Sequence, residues 1–146
     1  MADTLVPLSP LHGWDQKFSE LPESVSIAEE PFVAMVDLWV DAAGPGATAA
    51  ATVLGFDLPT AASTSAGTDA MTAVWLGPEE WLITTRSQPA PALESDLRAA
   101  VTPHGGAAID VSGQRTTLRL RGAHARQAEH GLRRSAADEH RGMQIQ

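Results

Sequence analysis

A chain of 146 residues with 43% hydrophobic and 19% charged side chains has the make-up of one folded domain, which excludes wholesale disorder. The lack of cysteine excludes a disulfide framework and thiolate metal sites. The net charge of -8 is unevenly spread, with three basic and fifteen acidic side chains in residues 1–114 against seven basic and three acidic in residues 115–146. The acidic body would repel phosphates, which argues against general nucleic-acid binding, whereas the basic end can meet a local anion or an acidic partner. No apolar run reaches the roughly 18 residues of a membrane span. The N-terminus lacks a basic region followed by an apolar stretch, so a cytoplasmic protein without a secretory signal is expected.

Residues 1–31 are interrupted by Pro7, Pro10, Pro22 and Pro31 and read as an extended arm. Within it only "SVSIAEE" is strand-like, through the alternation of Val25 and Ile27. "PFVAMVDLWV", Pro31 to Val40, predicts a strand of β-branched and aromatic residues with Asp37 as its only charge. "AAGPGATAAATVLG" predicts a turn and a helix, with Pro45 in the first turn, Ala47, Ala50, Ala51 and Leu54 at helical spacing, and Gly55 closing it. Pro59 to Ala70 is a small-residue loop. A hairpin follows, with arms Thr72–Leu76 and Trp81–Thr85 around Gly77-Pro78-Glu79-Glu80.

"PAPALESDLRAAV" predicts a second helix from Leu93, Leu97 and Val101, four residues apart. "GAAIDV" and "TTLRLR" predict the last two strands, and "GAHARQAEHGL" begins a third helix that Gly131 breaks. The order β-α-β-β-α-β-β-α indicates an α+β fold, a mixed or antiparallel sheet with helices packed on it. The expected organisation is an arm over residues 1–31, a single domain over 32–126 and a polar tail over 127–146.

The sequence carries no complete catalytic constellation. Ser112 in "DVSGQ" lacks both glycines of a nucleophile elbow and is followed by a strand, so it reads as a turn residue. His12, His104, His124, His130 and His140 form no metal-ligand spacing. "GPGATAAATVLG" lacks the Lys-Ser/Thr ending of a phosphate loop and reads as a helix cap. Glu79 and Glu80 read as a solvated turn, and Trp75 and Trp81 as core or interface aromatics. In "IDVSGQRTTLRLRG", period two sends Arg115, Thr117, Arg119 and Arg121 one way and Thr116, Leu118 and Leu120 the other. Three readings of this arginine comb stay open: a solvated sheet face, a contact for a partner's acidic surface, or a site for the glutamate tail of a folate.

"AVWLGPEEWLI" followed by "IDVSGQRTTLRLRGAHAR" resembles the gamma subunit family of heterotetrameric sarcosine oxidases. The likeness runs upstream through "PFVAMVDLWVDAAGPGA" and "LGFDLPT" and covers about residues 5 to 126. It implies a fold similar to the folate-binding region of aminomethyltransferase and of the tRNA-modifying GTPase TrmE. It also implies a place in a complex that oxidatively demethylates sarcosine to glycine, passes the one-carbon unit to tetrahydrofolate and makes hydrogen peroxide. In that family FAD, FMN and NAD belong to the alpha and beta subunits and zinc to the delta subunit, while gamma is non-catalytic and binds no cofactor alone. The implied partners are alpha, beta and delta, with no nucleic acid and no membrane.

On this resemblance Arg115, Arg119 and Arg121, with Gln114, Trp75 and Trp81, are candidates for a subunit interface or an anion contact, and the contact is preferred. The alternatives are a stand-alone folate- or one-carbon-binding module and a degenerate truncated copy. After Gly131 the residues resemble nothing in the family, and a truncation or change of reading frame near Ala128 is expected.

Overall fold

The central strand is β2 (Ala34–Trp39), and its composition explains its place. Five of its six residues are apolar and four are buried, so both faces need cover and both edges need partners. In the computed structural model, which describes residues 6–130, β2 pairs antiparallel with β5 (Glu80–Thr85) on one side and β6 (Ala107–Asp110) on the other. β4 (Met71–Gly77) joins β5 through the expected hairpin, and β3 (Ser65–Gly67) closes the far edge. The five-stranded order is β3-β4-β5-β2-β6, and every pairing is antiparallel, so no parallel pair enters the sheet.

Two helices cover one face. α2 (Pro45–Leu54) starts with Pro45 in its first turn behind an extended Gly44 and ends at Gly55, whose φ of 80° carries the chain out in the left-handed region. α3 (Ala90–Val101) turns Leu93, Leu97 and Val101 inward at a spacing of four, and all three are fully buried. They meet Val36, Leu38 and Val40 of the β2 segment, Trp81 and Ile83 of β5, Ala73 of β4 and Ala108 of β6. The Trp81 indole N–H donates to the Pro59 carbonyl at 2.8 Å, so its one polar atom is satisfied inside the core. β6 is the other edge of the sheet, and the Arg98 guanidinium on α3 donates to the Ala108 carbonyl at 3.2 Å.

These elements, residues 32–115, make one compact unit; of the remaining described residues, 6–31 and 116–130 make a second. In the second unit β7 (Thr117–Arg121) pairs antiparallel with β1 (Ser26–Glu30), Ala28 facing Arg119 and Glu29 facing Leu118. Sequence alone predicts the strand at β7 but not this partner. The pairing has an electrostatic logic, because the acidic end of β1 lies along the arginine strand and Glu30 forms an ion pair with Arg119. The arm also holds a short helix, α1 (Asp15–Ser19), where Lys17 lies 4.3 Å over the Trp14 ring. Residues 125–130 are helical, at the start of the expected third helix; Gly131 and the tail beyond it lie outside the described residues.

The Glu29 carboxylate accepts hydrogen bonds from the hydroxyls of Ser9 and Thr116. Those two donors, Ser9 first, hold its pKa below the ordinary glutamate value. A depressed folded-state pKa stabilises above the unfolded value and is lost as pH falls through the folded one. Acid unfolding followed by circular dichroism should therefore lose part of its pH dependence below the ordinary glutamate pKa in Glu29→Gln. An unchanged acid limb would remove Glu29 from the account.

Candidate functional site

Between Asp110 and Arg115 the side chains of Asp110 and Ser112 are committed to the chain itself. The Asp110 carboxylate accepts the Ser112 N–H at 2.9 Å, which bends the strand into a 3-10 turn over Ser112–Gln114. The Ser112 hydroxyl oxygen accepts the Met35 N–H at 2.9 Å, and the hydroxyl lies 3.3 Å from the Met35 carbonyl as donor. Val111 N–H donates to that same carbonyl at 2.9 Å. Ser112 thus replaces one rung of the β2–β6 ladder where β6 turns away, which is a structural use of a hydroxyl and leaves no free nucleophile.

Replacing Ser112 with alanine strands the buried Met35 N–H, and a stranded donor costs about 1–3 kcal/mol. The urea midpoint of Ser112→Ala should fall accordingly, with the activity of any assembled complex retained. Loss of activity without loss of stability would reinstate Ser112 as a reacting group.

The arginine comb is divided by the fold. Arg119 and Arg121 share one face of β7, but Arg115 precedes the strand, at the end of the 3-10 turn, and with Gln114 belongs to the other unit. Arg119 is paired with Glu30, whereas Arg115, Arg121 and Gln114 are exposed. Trp75 is half-buried against the core. Trp81 is fully buried on the helix-covered face and offers no surface, so it is withdrawn as an interface candidate. The physical reason is register: Trp75 and Trp81 pair across the hairpin on the helix side, and Trp81 lies on the strand next to β2.

Glu79 is exposed in the hairpin turn, and its carbonyl accepts the Val40 N–H at 3.0 Å. Among the described residues no three metal-ligating side chains come together. No helix of the described residues is long and apolar enough to cross a membrane. The outer side of α3 carries a shallow depression of about 600 Å³ lined by Glu94, Arg98 and Thr102, where Glu94 and Arg98 pair with each other.

The other face of the five-stranded sheet holds the polar group that sequence reasoning passed over. Asp37 lies on β2 between Leu82 of β5 and Ile109 of β6, and its Oδ1 is shut off from water without a hydrogen-bond donor among the described residues. Such a group costs about 1–3 kcal/mol. The signal was present in the sequence, since Asp37 is the lone charge in an otherwise apolar strand.

An α+β chain with an antiparallel sheet, two covering helices and a serine spent on its own backbone is the class that this geometry defines. The family model described as "Sarcosine oxidase, gamma subunit family" matches residues 39–142. The sarcosine oxidase subunit gamma of Corynebacterium sp. (strain U-96) is 34% identical over 100 residues, 68% of this chain and 48% of that protein. The chain thus spans about half the length of that relative. Its fold is also similar to a chain of the heterotetrameric sarcosine oxidase from Corynebacterium sp. U-96 in complex with pyrrole 2-carboxylate. That likeness has a TM-score of 0.72 and 28% identity, covering 81% of this chain and 62% of the other. The chain belongs to the sarcosine oxidase gamma subunit family. The family match crosses Ala128 and Gly131 and continues to residue 142, past the point where the likeness was expected to end.

Proposed function

We propose that the chain serves as a non-catalytic gamma subunit in a cytoplasmic heterotetrameric sarcosine oxidase, beside alpha, beta and delta subunits. The assembly would demethylate sarcosine oxidatively to glycine, hand the one-carbon unit to tetrahydrofolate and reduce oxygen to hydrogen peroxide. The observation that carries this reading is the likeness in fold, over 81% of the chain, to a chain of a heterotetrameric sarcosine oxidase. The commitment of Ser112 to the Met35 backbone fits a scaffolding role. By the family resemblance, zinc, FAD, FMN and NAD are assigned to the other subunits, and no step is routed through this chain. Exposed Gln114, Arg115 and Arg121 are proposed as points of contact with those subunits, Arg119 being held by Glu30.

The test is co-expression of the tagged chain with alpha, beta and delta. Recovery of a flavin-coloured complex that oxidises sarcosine is expected. A complex that assembles and turns over while the chain never co-purifies would end the proposal. Saturable tetrahydrofolate binding by the chain alone would instead favour a stand-alone one-carbon module.

A further inference from the structure

We propose that the sheet face around Asp37, on the side away from α2 and α3, docks a partner polypeptide that presents an arginine or lysine from an apolar patch. The inference rests on the subunit reading and names where, and with what chemistry, the contact is made. β2 sends Met35, Asp37 and Trp39 to this face, because Val36 and Leu38 point into the helix-covered core. Register sets Leu82 on one side of Asp37 and Ile109 on the other. Trp39 is 46% exposed and Ile109 51%, whereas Met35 is buried and Leu82 half-buried, so the apolar surface that stands in water lies on the Trp39 and Ile109 side of the carboxylate.

A carboxylate bedded in apolar surface, with Oδ1 sealed by the chain itself and lacking a donor among the described residues, leaves its other oxygen as the point that a cation arriving with apolar cover would meet. Net charge points the same way. Residues 32–115 hold nine acidic side chains and three basic ones, and Glu80 lies opposite Trp39 on the same face. A second copy of this chain is the poorer occupant, since two-fold pairing of this face would set Asp37 and Glu80 against the same acids of the other copy. A basic partner meets no such repulsion.

The experiment uses the whole chain co-expressed with alpha, beta and delta, and reads retention of the chain on the complex through washes of rising salt. Asp37→Asn should weaken retention about tenfold, the loss of one charge-assisted contact. Asp37→Arg and Ile109→Asp should abolish it, and Asp96→Asn on the exposed side of α3 should leave it unchanged. The melting temperature of the isolated Asp37→Asn chain should be equal to or above that of the parent, which separates docking from folding. Full retention of Asp37→Arg and Ile109→Asp would overturn the docking surface while leaving the subunit reading intact. Failure of the parent chain to be retained would overturn both. A lone chain that sediments as a dimer, and as a monomer after Ile109→Asp, would give the face to a second copy and overturn the proposal.

Discussion

Replacing Trp81 with alanine is expected to cost about 3–5 kcal/mol, enough to remove a large part of the stability of a domain of this size. The side chain is wholly buried and packs among residues from β2, β4, β5 and α3. Its removal leaves a cavity whose neighbours, held by two strand pairings and two helices, have little freedom to collapse. The Pro59 carbonyl also loses the indole donor that fixes the loop after α2. Urea unfolding followed by far-ultraviolet circular dichroism reads the effect without relying on the deleted fluorophore. Trp81→Phe, which keeps a ring but no N–H, should fall between the parent and the alanine variant. An alanine variant within about 1 kcal/mol of the parent would mean that the site is less tightly packed than its burial states.

The second large effect is expected at Gly122, just past β7. Its φ of +112° is one that side-chain-bearing residues rarely adopt, and a Cβ built there would stand 2.3 Å from the Ser24 carbonyl oxygen. That oxygen also accepts the His124 N–H at 3.1 Å, so moving it disturbs the turn into the helical residues 125–130. Backbone strain of this kind costs about 1–3 kcal/mol before the clash is counted. Gly122→Ala should therefore open the β1–β7 pairing, seen as faster amide hydrogen exchange at Ile27 and Leu120. Gly113→Ala is the contrast: nothing lies within 4 Å of a Cβ there and its φ is not positive. Its change should stay within about 0.5 kcal/mol. Equal effects at the two glycines would refute the steric argument.

Local signals carried much of the architecture. The largely apolar run of β2, the Gly-Pro turn of the hairpin and the four-residue spacing of Leu93, Leu97 and Val101 each name an element from nearby residues, and each element is present. β3 left no trace, since Ser65-Ala66-Gly67 has neither β-branched nor aromatic residues and is a strand only because β4 lies beside it. α1 is one turn long and buries no residue, so no periodicity marks it. The period-two pattern of β7 was legible, but its partner was not, because the acids of β1 lie nearly ninety residues away in the chain. Ser112 fell between these cases: its poor fit to a nucleophile elbow could be read directly, whereas its bond to Met35 joins residues 77 apart in the chain. Asp37 was visible as an odd charge, yet only the register of β5 and β6 shows what surrounds it.

Arg98 has a consequence for the β6 edge of the five-stranded sheet. In the β2–β6 ladder the groups of Ala108 point outward, away from β2, where they would invite a strand from another molecule. The guanidinium seated on the Ala108 carbonyl occupies the middle of that invitation with a charge. The opposite edge ends in three small residues, too short to template a long pairing. Both edges of the five-stranded sheet are thereby guarded against stacking into fibrils.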